Sequence, residues 1–157
     1  MFKMIRVYTK ERHKEKIKNF LNLNKLKHEI FSTKDDDPKI TPFDLGISYC
    51  YPRKIEEPLL SAPRLGFFNY HPAPLPQYRG NTIYKEALMK KEIHWGVTLH
   101  KMDENYDTGS IIRLKKIELH EPAQTIEELG TLSHYFLFNL FKETILELYD
   151  ANLSWKE

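Results

Sequence analysis

A histidine beside a run of prolines is the first feature of this sequence that suggests chemistry. Asn69-Tyr-His71 runs directly into Pro72-Ala-Pro-Leu-Pro76, so three prolines fall within five residues. Prolines fix φ and remove backbone donors, which predicts a stiff loop after a strand. In an extended chain, an amide and an imidazole two positions apart point to the same side. Each alone is more often structural, but on a rigid loop at a ligand-binding sheet edge the pair becomes a candidate site.

The segment from Asp103 to Gly109 adds a third candidate. It carries three carboxylates, of which Asp107 is the last. The spacing of a calcium loop is absent, so we expect no metal here. The simpler interpretation is a solvated hairpin loop in which Gly109 supplies a positive φ. Asp107 stays a candidate because a carboxylate beside an imidazole favours the protonated ring and orients it.

The elements that must position these residues alternate in the first half of the chain. The patterns predict a helix over 10–23, a short helical turn over 56–60 and strands over 4–8, 28–31, 45–51 and 66–70. The polar, proline-terminated segment 33–38 is predicted to be a loop. Strands that alternate with helices indicate a parallel α/β sheet, whose ligands bind beyond the carboxyl ends of the strands.

The second half has a different character. After a helix over 82–91, two strands over 95–102 and 110–119 are joined by a link too short for a parallel crossover, so they are antiparallel. Thr125-x-x-Glu128 is a capping box that begins a long final helix. Six apolar residues are predicted to lie on the sheet: Ile126, Leu129, Leu132, Phe136, Leu140 and Leu146. The fold class is therefore α/β, a mostly parallel sheet with an antiparallel C-terminal hairpin and a long C-terminal helix.

Composition predicts an ordinary globular protein with one domain over 1–157. A net charge of +2 predicts no nucleic-acid partner. The sequence has no apolar run long enough for a membrane span and no secretory leader. Cys50, the only cysteine, cannot form an internal disulfide. We therefore expect a cytoplasmic protein without a membrane partner. The sequence leaves open whether it forms a homodimer.

Basic residues crowd the first thirty positions. They are Lys10, Arg12, Lys14, Lys16, Lys18, Lys25 and Lys27. A patch that binds polyanions is one interpretation. Because Glu11 and Glu15 are interspersed among them, a solvated helix face is favoured.

Two motifs carry a resemblance to a known family. The first motif is the tract from Asn69 to Gly80, which ends in Leu75-Pro-x-Tyr-Arg-Gly80. The second is the later run Gly96-Val-Thr-Leu-His-Lys-Met-Asp-Glu-x-x-Asp-Thr-Gly. Both resemble the folate-dependent formyltransferases. The match is strong over 66–119, weaker over 44–53 and poor before Pro42. The resemblance implies an abbreviated Rossmann-like formyltransferase fold. It also implies transfer of a formyl group from N10-formyltetrahydrofolate, as co-substrate, to an amine without a metal.

The resemblance assigns roles to residues. The family's catalytic Asn, His and Asp fall on Asn69, His71 and Asp107. The first two would stabilise a tetrahedral oxyanion, and Asp107 would keep His71 charged and help to take the amine's proton. The residues implied to contact folate are Tyr49, Tyr51, Arg53, Asp103 and Asn105. Asn105 stands where the family usually has glycine, but asparagine tolerates left-handed backbone.

Departures from the family pattern reduce the number of amines that could be the acceptor. Tyr8-Thr-Lys-Glu11 lacks the glycine-rich turn that holds phosphate in glycinamide ribonucleotide enzymes. About one βα unit is missing before Asp44, and an end at Glu157 leaves no room for the C-terminal barrel of the methionyl-tRNA enzymes. The Pro-Ala-Pro-Leu-Pro loop resembles the branch that formylates nucleotide-linked amino sugars, the acceptor we expect.

Two other functions stay open from the sequence. A shortened N-terminal half could leave a non-catalytic relic that binds folate or a nucleotide. The same three catalytic side chains could also serve a formyltetrahydrofolate hydrolase, in which water replaces the amine. Binding without transfer would indicate the first, and formate release without amine the second.

Overall fold

The computed structural model describes residues 3–36, 41–105 and 107–150. Nine elements follow one another along the chain: β1 (Ile5–Thr9), α1 (Glu11–Leu23), β2 (His28–Ser32), β3 (Leu45–Tyr49), β4 (Phe67–His71), α2 (Ile83–Met89), β5 (His94–Lys101), β6 (Ile111–Glu118) and α3 (Ile126–Tyr149). Each strand and helix that the sequence predicts is present within a few residues of its predicted bounds. The predicted helical turn over 56–60 is a hydrogen-bonded turn. The predicted loop over 33–38 is described only as far as residue 36, so Pro38 lies outside the described residues.

The six strands form one mixed sheet in the order β2-β1-β3-β4-β5-β6. The first four strands are parallel, and β5 and β6 are antiparallel to their neighbours. The predicted fold class is confirmed. Every residue of β1 and β3 is buried, as expected for parallel strands with both faces covered. The order places β3 between β1 and β4, so their carboxyl ends line up along one edge.

Helix α3 begins as the sequence predicts. The Thr125 hydroxyl accepts from the Glu128 amide at 3.0 Å, and the Glu128 carboxylate accepts from the Gln124 amide at 2.9 Å. The predicted apolar stripe is correct in its middle, where Leu129 and Leu140 are buried. It is wrong at its ends, because Ile126 and Leu146 are 46% and 40% exposed. Residues three or four apart share a helix face, so the step of six from Leu140 takes Leu146 off it. Ile126 is exposed because it is the first residue of the helix, at its open end.

The buried face of α3 is completed by residues that the stripe omitted. They are Ser133, Leu137, Phe141, Thr144, Ile145 and Leu148. Two of these carry hydroxyls that hold aromatic residues: Ser133 accepts from the Trp95 indole at 2.8 Å, and Thr144 contacts the Tyr70 hydroxyl at 2.8 Å. These polar contacts fix how the helix lies on β4 and β5. Among the described residues, no helix has the length and apolar character needed to cross a bilayer.

One buried threonine holds the proline-rich loop. Thr98 in β5 accepts a hydrogen bond from the Leu75 amide at 3.1 Å and donates one to the Ala73 carbonyl at 2.9 Å. Both groups would otherwise be buried without partners, because Ala73 and Leu75 are 0% and 2% exposed. The loop is therefore stiff for two reasons: its prolines restrict the backbone, and the neighbouring strand anchors it.

Candidate active site

A cleft of about 600 Å³ opens along the edge where β1, β3 and β4 end. Its lining includes all three predicted catalytic residues, Asn69, His71 and Asp107. Asn69 and His71 lie on β4 two positions apart, as the sequence predicts, and reach the same cleft. Asp107 arrives from the link between β5 and β6, which is distant in sequence.

That link runs back along β4. The Met102 amide donates to the carbonyl of Phe67 at the start of β4, at 2.8 Å. Five residues later the Asp107 carboxylate lies beside His71, at the end of the same strand. The predicted positive φ of Gly109 is wrong: among the described residues of the link, Asp107 adopts it, at 54°. Gly109 is required for another reason, since a Cβ there would collide with the Lys101 carbonyl.

His71 and Asp107 form a pair that is almost closed to solvent. The His71 Nδ1 atom is 3.6 Å from Asp107 Oδ1, and the two side chains are 7% and 9% exposed. The ring's other nitrogen, Nε2, lies 2.6 Å from the Tyr78 carbonyl, which can only accept. The Gly80 amide donates to Asp107 Oδ2 at 3.0 Å. Tyr78 and Gly80 thus orient the pair from the same tract that carries His71.

The ring of His71 is held between two acceptors, which favours the doubly protonated imidazolium. Burial acts in the opposite direction and lowers the pKa of His71 below its ordinary value, while Asp107 and the Tyr78 carbonyl raise it. Burial raises the pKa of Asp107, but the neighbouring His100 ring, the charge of His71 and the Gly80 amide together bring it below its ordinary value. Asp107 is therefore a carboxylate at neutral pH.

His100 is a site residue that the sequence reasoning missed. It faces Asn69 across the β4–β5 pair, where Asn69 Nδ2 lies 3.1 Å from His100 Nε2. The same Nε2 is 3.7 Å from Asp107 Oδ1, and His100 is only 1% exposed. The Lys101 carbonyl lies 3.0 Å from its Nδ1. The sequence predicted the antiparallel pairing of β5 with β6, but neither the pairing of β4 with β5 nor the register that sets His100 opposite Asn69.

Four of the five residues implied to contact folate line the cleft: Tyr51, Arg53, Asp103 and Asn105. Asp103 also holds its own loop, because its Oδ1 accepts from the Asn105 amide at 2.9 Å and from the Thr108 hydroxyl at 2.8 Å. Arg53 donates to the Thr33 carbonyl at 3.2 Å, which ties the end of β3 to the loop after β2. Asp103 and Asn105 thus line the cleft from the acidic link, and Tyr51 and Arg53 line it from the segment after β3.

Tyr49 does not reach the cleft, which corrects its assignment to the folate site. It is 0% exposed, and its ring packs 5.8 Å from the rings of both Tyr70 and Phe141. Side chains alternate along a strand, so Ser48 and Cys50 face the cleft while Tyr49 points into the core. The resemblance identified the correct strand, and the pleat decided which of its residues a ligand can touch.

The chain is similar to known proteins in sequence and in fold. A family model described as formyl transferase matches residues 12–143. The methionyl-tRNA formyltransferase of Thermotoga maritima is 35% identical over 118 residues, which is 73% of this chain and 36% of the relative. The chain spans about a third of the length of such curated relatives.

Solved structures share the fold at lower identity. Phosphoribosylglycinamide formyltransferase from Streptococcus pneumoniae superposes with a TM-score of 0.72 at 21% identity, covering 94% of this chain and 99% of that one. A second structure is the formyltransferase PseJ from Anoxybacillus kamchatkensis in complex with UDP-4,6-dideoxy-4-formamido-L-AltNAc and tetrahydrofolate. Its TM-score is 0.74 at 23% identity, and the match covers 92% of this chain and 76% of that one. At these identities the likeness concerns the fold alone.

Proposed function

The chain belongs to the formyl transferase family, and from that premise we propose that it transfers a formyl group from N10-formyltetrahydrofolate to a primary amine. The observation that carries the proposal is the buried His71–Asp107 pair, which shares one cleft with Asn69. The proposed catalytic residues are these three. Tyr51, Arg53, Asp103 and Asn105 are proposed to contact the folate.

The reaction needs stabilisation of an oxyanion. Attack of the amine nitrogen on the formyl carbon forms a C–N bond and places negative charge on the formyl oxygen. The separation of 3.6 Å between His71 Nδ1 and Asp107 Oδ1 is longer than a good hydrogen bond. The Nδ1–H of the protonated ring is therefore available to the formyl oxygen. The Asn69 amide has two N–H donors, and one suffices for its contact with His100. Donors held rigidly beside a pair that is nearly closed to solvent stabilise such a charge strongly.

The reaction also needs a proton acceptor. The amine loses a proton as it attacks, and the Asp107 carboxylate takes that proton directly or through water. When the bond from carbon to N10 breaks, the proton passes to N10 of the departing tetrahydrofolate. Before it takes that proton, the same carboxylate raises the pKa of His71 against the effect of burial and so favours the protonated ring, which gives Asp107 two roles. Its contact with the Gly80 amide keeps it in place for both.

For the acceptor, we propose a nucleotide-linked amino sugar. Two observations support this choice. The Pro72-Ala-Pro-Leu-Pro76 form of the loop resembles that branch of the family, and the structural neighbour PseJ holds a UDP-linked formamido sugar together with tetrahydrofolate. The cleft of about 600 Å³ is within the size range of sites for ligands of this class.

The test is turnover of N10-formyltetrahydrofolate with a panel of dTDP- and UDP-linked 3-amino and 4-amino sugars. Tetrahydrofolate is followed by absorbance and the formamido product by mass spectrometry. We expect transfer to at least one sugar, and a fall of at least about 10² in His71→Asn. His120→Asn, a matched change of an exposed histidine, should have wild-type activity.

Three outcomes would contradict the proposal in distinguishable ways. Formate release at the same rate without any amine would indicate a hydrolase. Calorimetric binding of folinic acid without turnover on any amine would indicate a non-catalytic relic. Turnover only with an amine that lacks a nucleotide would leave formyl transfer standing and refute the proposed acceptor.

A further inference from the structure

A short stretch of backbone holds both members of the His71–Asp107 pair. The Tyr78 carbonyl lies 2.6 Å from His71 Nε2. Two residues later, the Gly80 amide donates to Asp107 Oδ2 at 3.0 Å. Neither contact is made by the part of the loop that Thr98 anchors. The geometry of the pair therefore depends on what fixes Tyr78 and its neighbours.

Tyr78 is the buried residue of this stretch. It is only 3% exposed, whereas the other residues from 76 to 82 are all exposed. Its ring packs 4.9 Å from the ring of Trp95, and the Trp95 indole is tied to α3 by its hydrogen bond to Ser133 at 2.8 Å. Because the neighbouring side chains face solvent, the Tyr78 side chain is the main anchor of the backbone that contacts the pair.

Two residues from the turn between α2 and β5 hold the Tyr78 ring. The Tyr78 hydroxyl donates to Glu92 Oε2 at 2.9 Å, and Lys90 Nζ lies 5.4 Å from the ring centroid. Burial and the contact with Glu92 raise the pKa of Tyr78 to about 12, so the phenol remains a donor at neutral pH. Glu92 is held in turn by the His94 amide, which donates to its Oε1 at 3.3 Å.

We propose that Glu92 is a positioning residue for formyl transfer. It holds the Tyr78 hydroxyl, and through it the backbone that contacts the His71–Asp107 pair. The inference rests on the proposed function and adds to it a residue outside the cleft. Tyr78 and Glu92 line a second cavity of about 440 Å³, which among the described residues shares no lining residue with the cleft. The contact can therefore be removed without a change in the surface that substrates touch.

The anchored backbone widens the pH range in which the pair is active. Burial lowers the pKa of His71, and the Tyr78 carbonyl, together with Asp107, raises it against the effect of His100. Burial raises the pKa of Asp107, and the Gly80 amide, together with the two histidine rings, lowers it. If the Tyr78 hydroxyl loses its partner and the backbone shifts, the pKa of His71 should fall and that of Asp107 should rise. The high-pH limb of activity then moves down and the low-pH limb moves up.

The experiment compares Tyr78→Phe, Glu92→Ala and the double variant by two measurements on the full chain. NMR titration gives the pKa of the His71 imidazole without any amine, and the signal is assigned from its absence in His71→Asn. Formyl transfer gives kcat/KM as a function of pH. We expect a lower His71 pKa, a fall in kcat/KM of about threefold to tenfold and an inward movement of both limbs. The double variant should resemble each single variant, because both remove the same contact.

Two matched variants are the controls. Glu92→Gln keeps an oxygen that accepts from the Tyr78 hydroxyl, so it should behave as the wild type. Glu86, an exposed residue of α2, acts on the same phenol through its charge. Glu86→Ala removes that charge and leaves the hydrogen bond to Glu92 in place, so it should change neither the His71 pKa nor kcat/KM.

The results distinguish this inference from the proposed function. An unchanged His71 pKa in Tyr78→Phe and Glu92→Ala overturns the positioning role even if formyl transfer is observed. A fall in kcat/KM with both limbs in place does the same, since a loss of stability alone leaves the pKa of the pair unchanged. An equal effect in Glu86→Ala overturns it in favour of charge. A His71 pKa that depends on Glu92, in a protein that turns over no amine, supports the positioning role and counts against the proposed function.

Discussion

Replacement of Asp107 by asparagine tests the proposed mechanism most directly. Asparagine has nearly the same shape, tolerates the left-handed backbone that Asp107 adopts at φ 54°, and keeps an oxygen to accept from the Gly80 amide. The variant therefore removes a charge and a proton acceptor while it preserves the path of the loop.

The magnitude follows from the separation of the pair. When the His71 ring is protonated, two unit charges 3.6 Å apart attract by about 4–5 kcal/mol at an effective dielectric constant of about 20. Part of this is offset because the buried carboxylate loses hydration that asparagine would not need. A net loss of about 3 kcal/mol at the transition state corresponds to a fall of about 10² in kcat/KM.

The assay is kcat/KM for formyl transfer as a function of pH. In the wild type, activity should fall at low pH as Asp107 is protonated, and at high pH as His71 loses its proton. Asp107 raises the pKa of His71 against the effect of burial. Without that charge the pKa of His71 falls further, so the high-pH limb of the variant should move to lower pH. The low-pH limb assigned to Asp107 should disappear.

A fall of only a few-fold, with folinic acid binding and circular dichroism unchanged, would refute the charge-pairing role of Asp107. An unshifted high-pH limb would do the same, since it would mean that His71 does not depend on this carboxylate. Asp36→Asn, an exposed aspartate outside the cleft lining, is the control and should leave both limbs in place.

Three further substitutions test how the site is held in place. Thr98→Val leaves the buried Leu75 amide without an acceptor; we expect a loss of about 1–3 kcal/mol in chemical denaturation and a lower kcat. Thr131→Val, the same exchange at an exposed threonine of α3 outside the cleft lining, is the control and should leave kcat unchanged. Ser133→Ala removes the acceptor of the Trp95 indole; it should destabilise the fold by about 1–3 kcal/mol and leave KM for folate unchanged, and an unaltered melting temperature would contradict this. Gly109→Ala places a Cβ against a strand carbonyl; the link should be displaced, so activity should fall more than global stability in parallel turnover and unfolding measurements.

Local chemistry determined much of the architecture. The capping box predicted where α3 begins because its two hydrogen bonds involve residues only three or four positions apart. The short link between β5 and β6 predicted an antiparallel pair because no crossover fits in it. The prolines after His71 predicted a rigid loop since each fixes its own φ. Each of these rules acts over a few residues, and a sequence displays such rules directly.

The tertiary structure decided which side chains meet. The register of β4 against β5 sets His100 beside Asn69, and the pleat of β3 turns Tyr49 into the core. The packing of α1 against the cleft directs Arg12 toward it, where the sequence favoured a solvated face. Register, strand face and helix rotation depend on how distant elements pack together, and hydrophobic patterning constrains them only in part. The sequence therefore identified the three catalytic candidates, and only the folded chain determined the shell of residues that orients them.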